Sequence, residues 1–333
     1  MADERVILEG ADLEKVLAHR GRNLLIDRDE CYRKDGEPYG ESSLCLSPGD
    51  AAGRDIFLRK NPDGGSAIME FAFAEHLALN AICVLQSVGG GLEEGDICYF
   101  ASISNFKMHR QVADGEAAAG VVGRKSDKGP FRRFRGSVSV DSGEQVAQVD
   151  ITSFTLHESE EPPREMRKQG QVVPVEMSKA IDHATFTWKR PEMVFVDEMI
   201  SLDADAKTAG FAYTYPADHP FTVGHFPGNP VMMGITQWMA ISDAVSAMAM
   251  ELVGSGSLAE GGYTIGCSGE LLRDDGTIVA EVKGLRKRMH LGAGGECGPP
   301  EVLATKRVVF RDMVRPEEPL RVRARIDSLD PSA

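Results

Sequence analysis

The chain has no C-x-x-C pair. Its six cysteines, Cys31, Cys45, Cys83, Cys98, Cys267 and Cys297, are scattered, with spacings that suit neither a zinc site nor a disulfide framework. Reduced thiols in a cytoplasm are the plain reading. Clustered His/Cys/carboxylate spacing is also missing, so neither a metal nor any other cofactor is expected. Positive charge is short as well. There are 37 Lys and Arg against 51 Asp and Glu, a net charge of −14, which argues against nucleic acid as a general partner. No apolar run reaches the roughly 18 residues of a membrane span, and the longest apolar helix signal is interrupted by Ser242 and Asp243. The opening Met1-Ala2-Asp3-Glu4-Arg5 lacks the charged-then-apolar order of a secretion signal. A cytoplasmic protein with no membrane partner is therefore expected.

What is present is enough for two cores. A chain of 333 residues, 42% hydrophobic and 26% charged, is long for one hydrophobic core and natural for a pair. Three landmarks recur in the same order. A short apolar run ending in an acid occurs at Leu24-Leu25-Ile26-Asp27 and again at Val194-Phe195-Val196-Asp197. A long apolar helix signal follows, from about Ser66 to Leu85 and from about Met233 to Val253. Next comes a strand ending in a turn, at Met108 to Glu116 and at Phe310 to Glu318. Strand-like sequence then alternates with period two, as in Leu320-Arg321-Val322-Arg323-Ala324-Arg325-Ile326.

The first helix signal is apolar on most of its surface (Ile68, Phe71, Phe73, Leu77, Leu79, Ile82, Val84), so it belongs inside a core. Each copy thus reads as an α+β unit, an antiparallel sheet wrapped round a long central helix. The expected division is an N-terminal unit over 1–157, a linker over 158–190 and a C-terminal unit over 191–333. The linker opens with the charged, proline-bearing Glu158-Ser159-Glu160-Glu161-Pro162-Pro163-Arg164-Glu165, and Ala184 to Trp188 could add a strand. The second copy reads as carrying an insertion between Ser255 and about Ala304, with a hairpin near Asp274-Asp275-Gly276.

The most specific stretch is Gly224-His225-Phe226-Pro227-Gly228-Asn229-Pro230-Val231-Met232-Met233-Gly234. A histidine on a turn stiffened by Gly and Pro, ahead of a buried helix, holds one base beside a helix N-terminus. The stretch resembles the H-F-P-G-x-P-V-M-P-G motif of the 3-hydroxyacyl-carrier-protein dehydratases, with Met233 where that family usually has proline. The opening Leu13 to Arg20, leading into Leu24-Leu25-Ile26-Asp27-Arg28, is also similar to that family's N-terminal segment. The resemblance implies the hotdog fold, here doubled, and dehydration of 3-hydroxyacyl thioesters in fatty-acid or polyketide synthesis. The implied partner is an acyl carrier protein with its phosphopantetheine-linked chain. Two hotdog units on one chain could satisfy the family's usual pairing, and a dimer of such chains is also compatible.

The family's catalytic acid lies fourteen positions after its histidine and serves the partner subunit's site. Here that position after His225 is Met239, which cannot transfer a proton. In the first copy Glu75 aligns with the acid, and Asn61, fourteen residues earlier, stands where the histidine would be. The two losses are complementary. One complete site, His225 with Glu75, is expected beside one dead site, Asn61 with Met239. His225 suits the base because an ordinary imidazole pKa of about 6.5 leaves it mostly neutral at pH 7. Glu75 on a buried helix should have a raised pKa and so donate to the departing hydroxyl. By the resemblance, Gly234 supplies the backbone N–H for the developing oxyanion, and the carbonyl of Val231 orients the histidine.

Plainer readings compete at each position. A histidine near Gly and Pro is usually a turn residue, and a helical glutamate usually pairs with a cation. His76 reads as a core or interface residue. Asp243, one turn from Met239, is the rival acid. The basic runs Arg124 to Arg135 and Lys283 to Arg288 read as solvated turns or as docks for the carrier. A non-catalytic hotdog scaffold, a hydratase or isomerase, and a thioesterase are the rival functions.

Overall fold

The computed structural model describes residues 5–89, 96–157, 167–293 and 296–332. The charged start of the expected linker, 158–166, lies outside the described residues. The chain divides into two compact units. The first comprises 1–58, 67–163 and 223–230; the second comprises 59–66, 164–222 and 231–333. The turn bearing His225 is therefore built into the first unit, although both its flanks belong to the second. The turn bearing Asn61 is built into the second unit and flanked by the first.

The first unit contains β1 (Val6–Glu9), α1 (Ala11–Val16), β2 (Arg28–Lys34) and β3 (Glu37–Leu44). A short hairpin of β4 (Leu58–Lys60) and β5 (Ser66–Ile68) leads into α2 (Glu70–Ser87). Then come β6 (Asp96–Met108), β7 (Ala118–Lys128), β8 (Phe131–Val140) and β9 (Gln145–His157). The strand order is β1-β2-β3-β7-β8-β9-β6, antiparallel throughout. Burial in β3 alternates, with Pro38, Gly40, Ser42 and Leu44 inward. That alternation follows from the two-residue strand repeat. Helix α2 packs against β2, β3, β6, β7, β8 and β9. It seats closely because the sheet offers glycine beneath it. A Cβ on Gly40 would lie 2.1 Å from Asn80 Oδ1, and one on Gly120 would lie 2.5 Å from His76 Nε2.

The second unit contains β10 (Lys168–Gln169), β11 (Lys179–Ala180), β12 (Glu198–Asp203), β13 (Thr208–Thr214) and α3 (Gly234–Gly254). It continues with β14 (Gly261–Arg273), β15 (Thr277–Leu291), β16 (Glu301–Phe310) and β17 (Pro319–Pro331). The order is β16-β15-β14-β17-β13-β12-β11, with β10 pairing β15. Helix α3 is buried along almost its whole length and packs against β13, β14, β15 and β17.

Two expectations change here. First, the region read as an insertion is not an addition to the fold. It forms the β14–β15 hairpin, turned at Asp274-Asp275-Gly276, in the middle of the sheet. In space the first unit runs β3-β7-β8-β9-β6 and the second β13-β17-β14-β15-β16. The arrangement is the same, but the hairpin that comes last in the first copy comes first in the second. Linear alignment registers such a permutation as inserted sequence. Second, the later part of the expected linker is structured. It carries β10 and β11, and it buries Val173, Phe186 and Trp188. His183–Thr185 forms a short 3-10 turn, capped by the Asp182 carboxylate on Ala184 N–H, where a strand was one reading.

Candidate active site

His225, Glu75 and His19 all belong to the first unit. The His225 turn is fixed to the N-terminal segment by its backbone. Arg20 N–H donates to Gly224 O at 3.0 Å. Position 224 must be glycine for this contact, because a Cβ there would lie 2.2 Å from Arg20 O. Within the turn, Asn229 N–H donates to Phe226 O at 3.0 Å, and Gly228 takes φ +77°. The imidazole of His225 stacks on Phe226, centroids 4.2 Å apart, and meets the edge of His19 at 4.9 Å. His19 also contacts Phe226 at 5.1 Å.

Glu75 lies in the second turn of α2 and is 1% exposed. His19 Nε2 is 3.4 Å from its Oε1, and among the described residues neither carboxylate oxygen has a hydrogen-bond partner. The plain reading of Glu75 as half of an arginine pair is therefore not what the fold provides. Burial pushes its pKa up to about 7, while the nearby His225 pulls it down. Burial, with help from the Arg20 cation, lowers His19 to about 3, so that imidazole is neutral. The ligating atoms of His19, Glu75 and His225 all lie within 4.8 Å of one another. Linear spacing, which suggested no such cluster, could not register groups brought together from 19, 75 and 225.

His76 is a core residue. It is fully buried, donating from Nδ1 to Leu25 O at 2.9 Å, with Nε2 3.1 Å from Ser42 Oγ. His19 is the site residue that sequence reading missed. It stood in the dehydratase-like opening segment without a role, and no local pattern tied it to residue 75.

The remaining candidates lie in the second unit. Gly234 opens α3, where a Cβ would press to 3.2 Å on the Phe310 ring. Val231 is buried, and the following Met232 N–H donates to Val314 O at 2.8 Å. Asn61 sits half-buried in the β4–β5 turn, bonded through its backbone to Gly65 and Gly64, and Met239 is buried in α3. Asp243, the rival acid, is committed elsewhere: it pairs with the Lys189 ammonium and accepts from Phe195 N–H at 3.0 Å.

Both basic runs carry ion-paired side chains beside exposed ones, Lys128 and Arg133 in the first and Lys283 and Arg286 in the second. The first is the β7–β8 hairpin, turned at Gly129. There Arg124 pairs with Asp127, Arg135 with Asp150 at 2.9 Å, and Lys125 with Asp150 at 3.5 Å. In the second run Leu285 and Lys287 point inward. Lys287 donates to Ser242 O and Ser246 Oγ, each at 2.7 Å, and Arg288 pairs with Glu301. No helix among the described residues is long and apolar enough to cross a membrane.

No protein-family model matches the chain. Among curated proteins it is similar to the 3-hydroxyacyl-[acyl-carrier-protein] dehydratase FabZ of Alkaliphilus metalliredigens. The two are 31% identical over 78 residues, which is 23% of this chain and 48% of that protein, so the match spans about half of the relative. The FabZ of Granulibacter bethesdensis is 28% identical over 155 residues, covering 46% of this chain and 86% of its own length. Among solved structures, a dehydratase studied for substrate selection in the borrelidin and fluvirucin polyketide synthases aligns over 88% of this chain and 95% of its own, at 9% identity and TM-score 0.45. The chain is thus similar to FabZ over the matched segments, and each of its two units packs a helix on an antiparallel sheet.

Proposed function

We propose that this protein removes water from 3-hydroxyacyl thioesters carried on an acyl carrier protein, giving 2-enoyl thioesters for fatty-acid or polyketide synthesis. His225 takes the C2 proton, and Glu75 protonates the departing 3-hydroxyl. The observation that carries this reading is Glu75 itself. It is a buried carboxyl with no Lys or Arg in ion-pair distance and no hydrogen bond on either oxygen among the described residues, raised by burial to about 7 and grouped with His225 inside 4.8 Å. A carboxyl with that affinity for a proton can hold one near neutral pH and release it to a leaving group. Base and acid this close can act on adjacent carbons of one acyl chain. The oxyanion role of Gly234 and the orienting role of Val231 enter the proposal on the motif alone.

The test is turnover of a 3-hydroxyacyl thioester by His225→Ala and Glu75→Gln. Each should lose about 10²–10⁴-fold in water loss, the usual worth of a positioned acid or base, while circular dichroism shows a folded chain. Near-normal turnover by Glu75→Gln would end the two-residue assignment. Hydration of the enoyl product uses the same groups in reverse, so product analysis from both ends identifies the favoured direction.

A further inference from the structure

The cluster at residues 19, 75 and 225 holds more ligating chemistry than a base and an acid require. We propose that His19, Glu75 and His225 together bind a divalent transition-metal ion of the zinc class, and that its binding shuts the acyl site. The shutting rests on the functional reading above; the ion site does not.

The donor set is two imidazole nitrogens and one carboxylate oxygen, which suits Zn²⁺ and leaves a fourth position open. Ligands about 2.0–2.1 Å from a tetrahedral ion stand about 3.4 Å apart. His19 Nε2 and Glu75 Oε1 are already 3.4 Å apart, and the whole set lies within 4.8 Å, so closure needs shifts of about an ångström. At Glu75 no hydrogen bond has to be broken to admit the ion. Both Glu75 oxygens lack hydrogen bonds among the described residues.

The surroundings also limit the affinity. A metal-bound histidine normally donates its other N–H to a carbonyl or carboxylate, and loss of such a partner weakens binding about 10–100-fold. His19 Nδ1 is buried with no such partner among the described residues. The ion would therefore exchange readily, acting as a reversible inhibitor and not as a resident cofactor. Once bound, it occupies the His225 lone pair that would accept the C2 proton, and it replaces the proton on Glu75.

The experiment is a titration of the full chain with Co²⁺ as the spectroscopic probe, followed by Zn²⁺. The expected result is one tetrahedral Co²⁺ site per chain, seen as visible d–d absorption and displaced by Zn²⁺. Zn²⁺ should also stop water loss, and EDTA should restore it. His19→Gln and Glu75→Gln, checked for folding by circular dichroism and thermal melting, should each weaken Co²⁺ binding by about tenfold or more. Absence of a stoichiometric Co²⁺ site, or a site that survives both substitutions, would overturn the proposal. An enzyme that dehydrates but binds no Co²⁺ refutes this inference alone. A chain that binds Co²⁺ at these residues but never dehydrates refutes the functional reading and leaves the ion site standing.

Discussion

Helices α2 and α3 each bury a carboxyl side chain against their own sheet, but they treat it differently. In α3, Asp243 meets the Lys189 ammonium and the Phe195 N–H. In α2, Glu75 has only the neutral edge of His19 within ion-pair distance and no hydrogen bond on either oxygen among the described residues. The cost of burying a carboxylate is met in one unit by a counter-charge and in the other by holding a proton. The matched group has its cation and its N–H donor in place. The unmatched one titrates near neutrality, the condition a general acid needs. The same contrast extends to the neighbouring motif positions, where the second unit has Asn61 and Met239 and the first has His225 and Glu75.

The largest effect expected on stability comes from breaking the matched pair. Lys189→Met removes the ammonium paired with the buried Asp243 and should cost about 3–5 kcal/mol in urea unfolding. Adding Asp243→Asn, which keeps an acceptor for Phe195 N–H, should recover most of it. A small loss in the single variant would show that the two helices do not differ as described.

A somewhat smaller effect should separate Glu75 from its Gln replacement as pH changes. The folded-state pKa of Glu75, about 7, is above its ordinary value of 4.5. The folded chain therefore binds more protons than the unfolded chain between those limits. The stabilising contribution is complete below about pH 4.5 and is lost as pH rises through about 7. Wild type should thus lose about 3 kcal/mol relative to Glu75→Gln across that window, measured by chemical unfolding with a chelator present. Parallel curves for the two proteins would remove the claim that Glu75 is buried without compensation. The smallest effect is the control: Arg135→Ala breaks an exposed pair with Asp150 and should leave the unfolding midpoint unchanged within error.

Much of the candidate site could be named from the sequence, because its residue types sit in local patterns. The His225 turn is a contiguous string, and Glu75 could be found by counting along a helix whose apolar surface was plain. Neighbours distant in the chain were not readable. His19 joins the cluster through Arg20 N–H to Gly224 O, a backbone contact that leaves no mark on side-chain pattern. The role of Asp243 was equally hidden, because its partner Lys189 comes from a stretch that read as linker. The permuted β14–β15 hairpin shows the same limit, since spatial strand order depends on which edges pair and not on which segment is made first.

The sequence by itself determined the two buried helices, the alternating strands and the stiffened histidine turn. Each rests on local preference: apolar periodicity, strand alternation, and glycine where backbone approaches within contact distance. Only tertiary structure decided which unit receives the His225 turn, which carboxyl finds a counter-charge and which is left to hold a proton. Those outcomes depend on groups far apart in the chain meeting where water has been excluded: Asp243 meets an ammonium group there, and Glu75 meets a neutral imidazole.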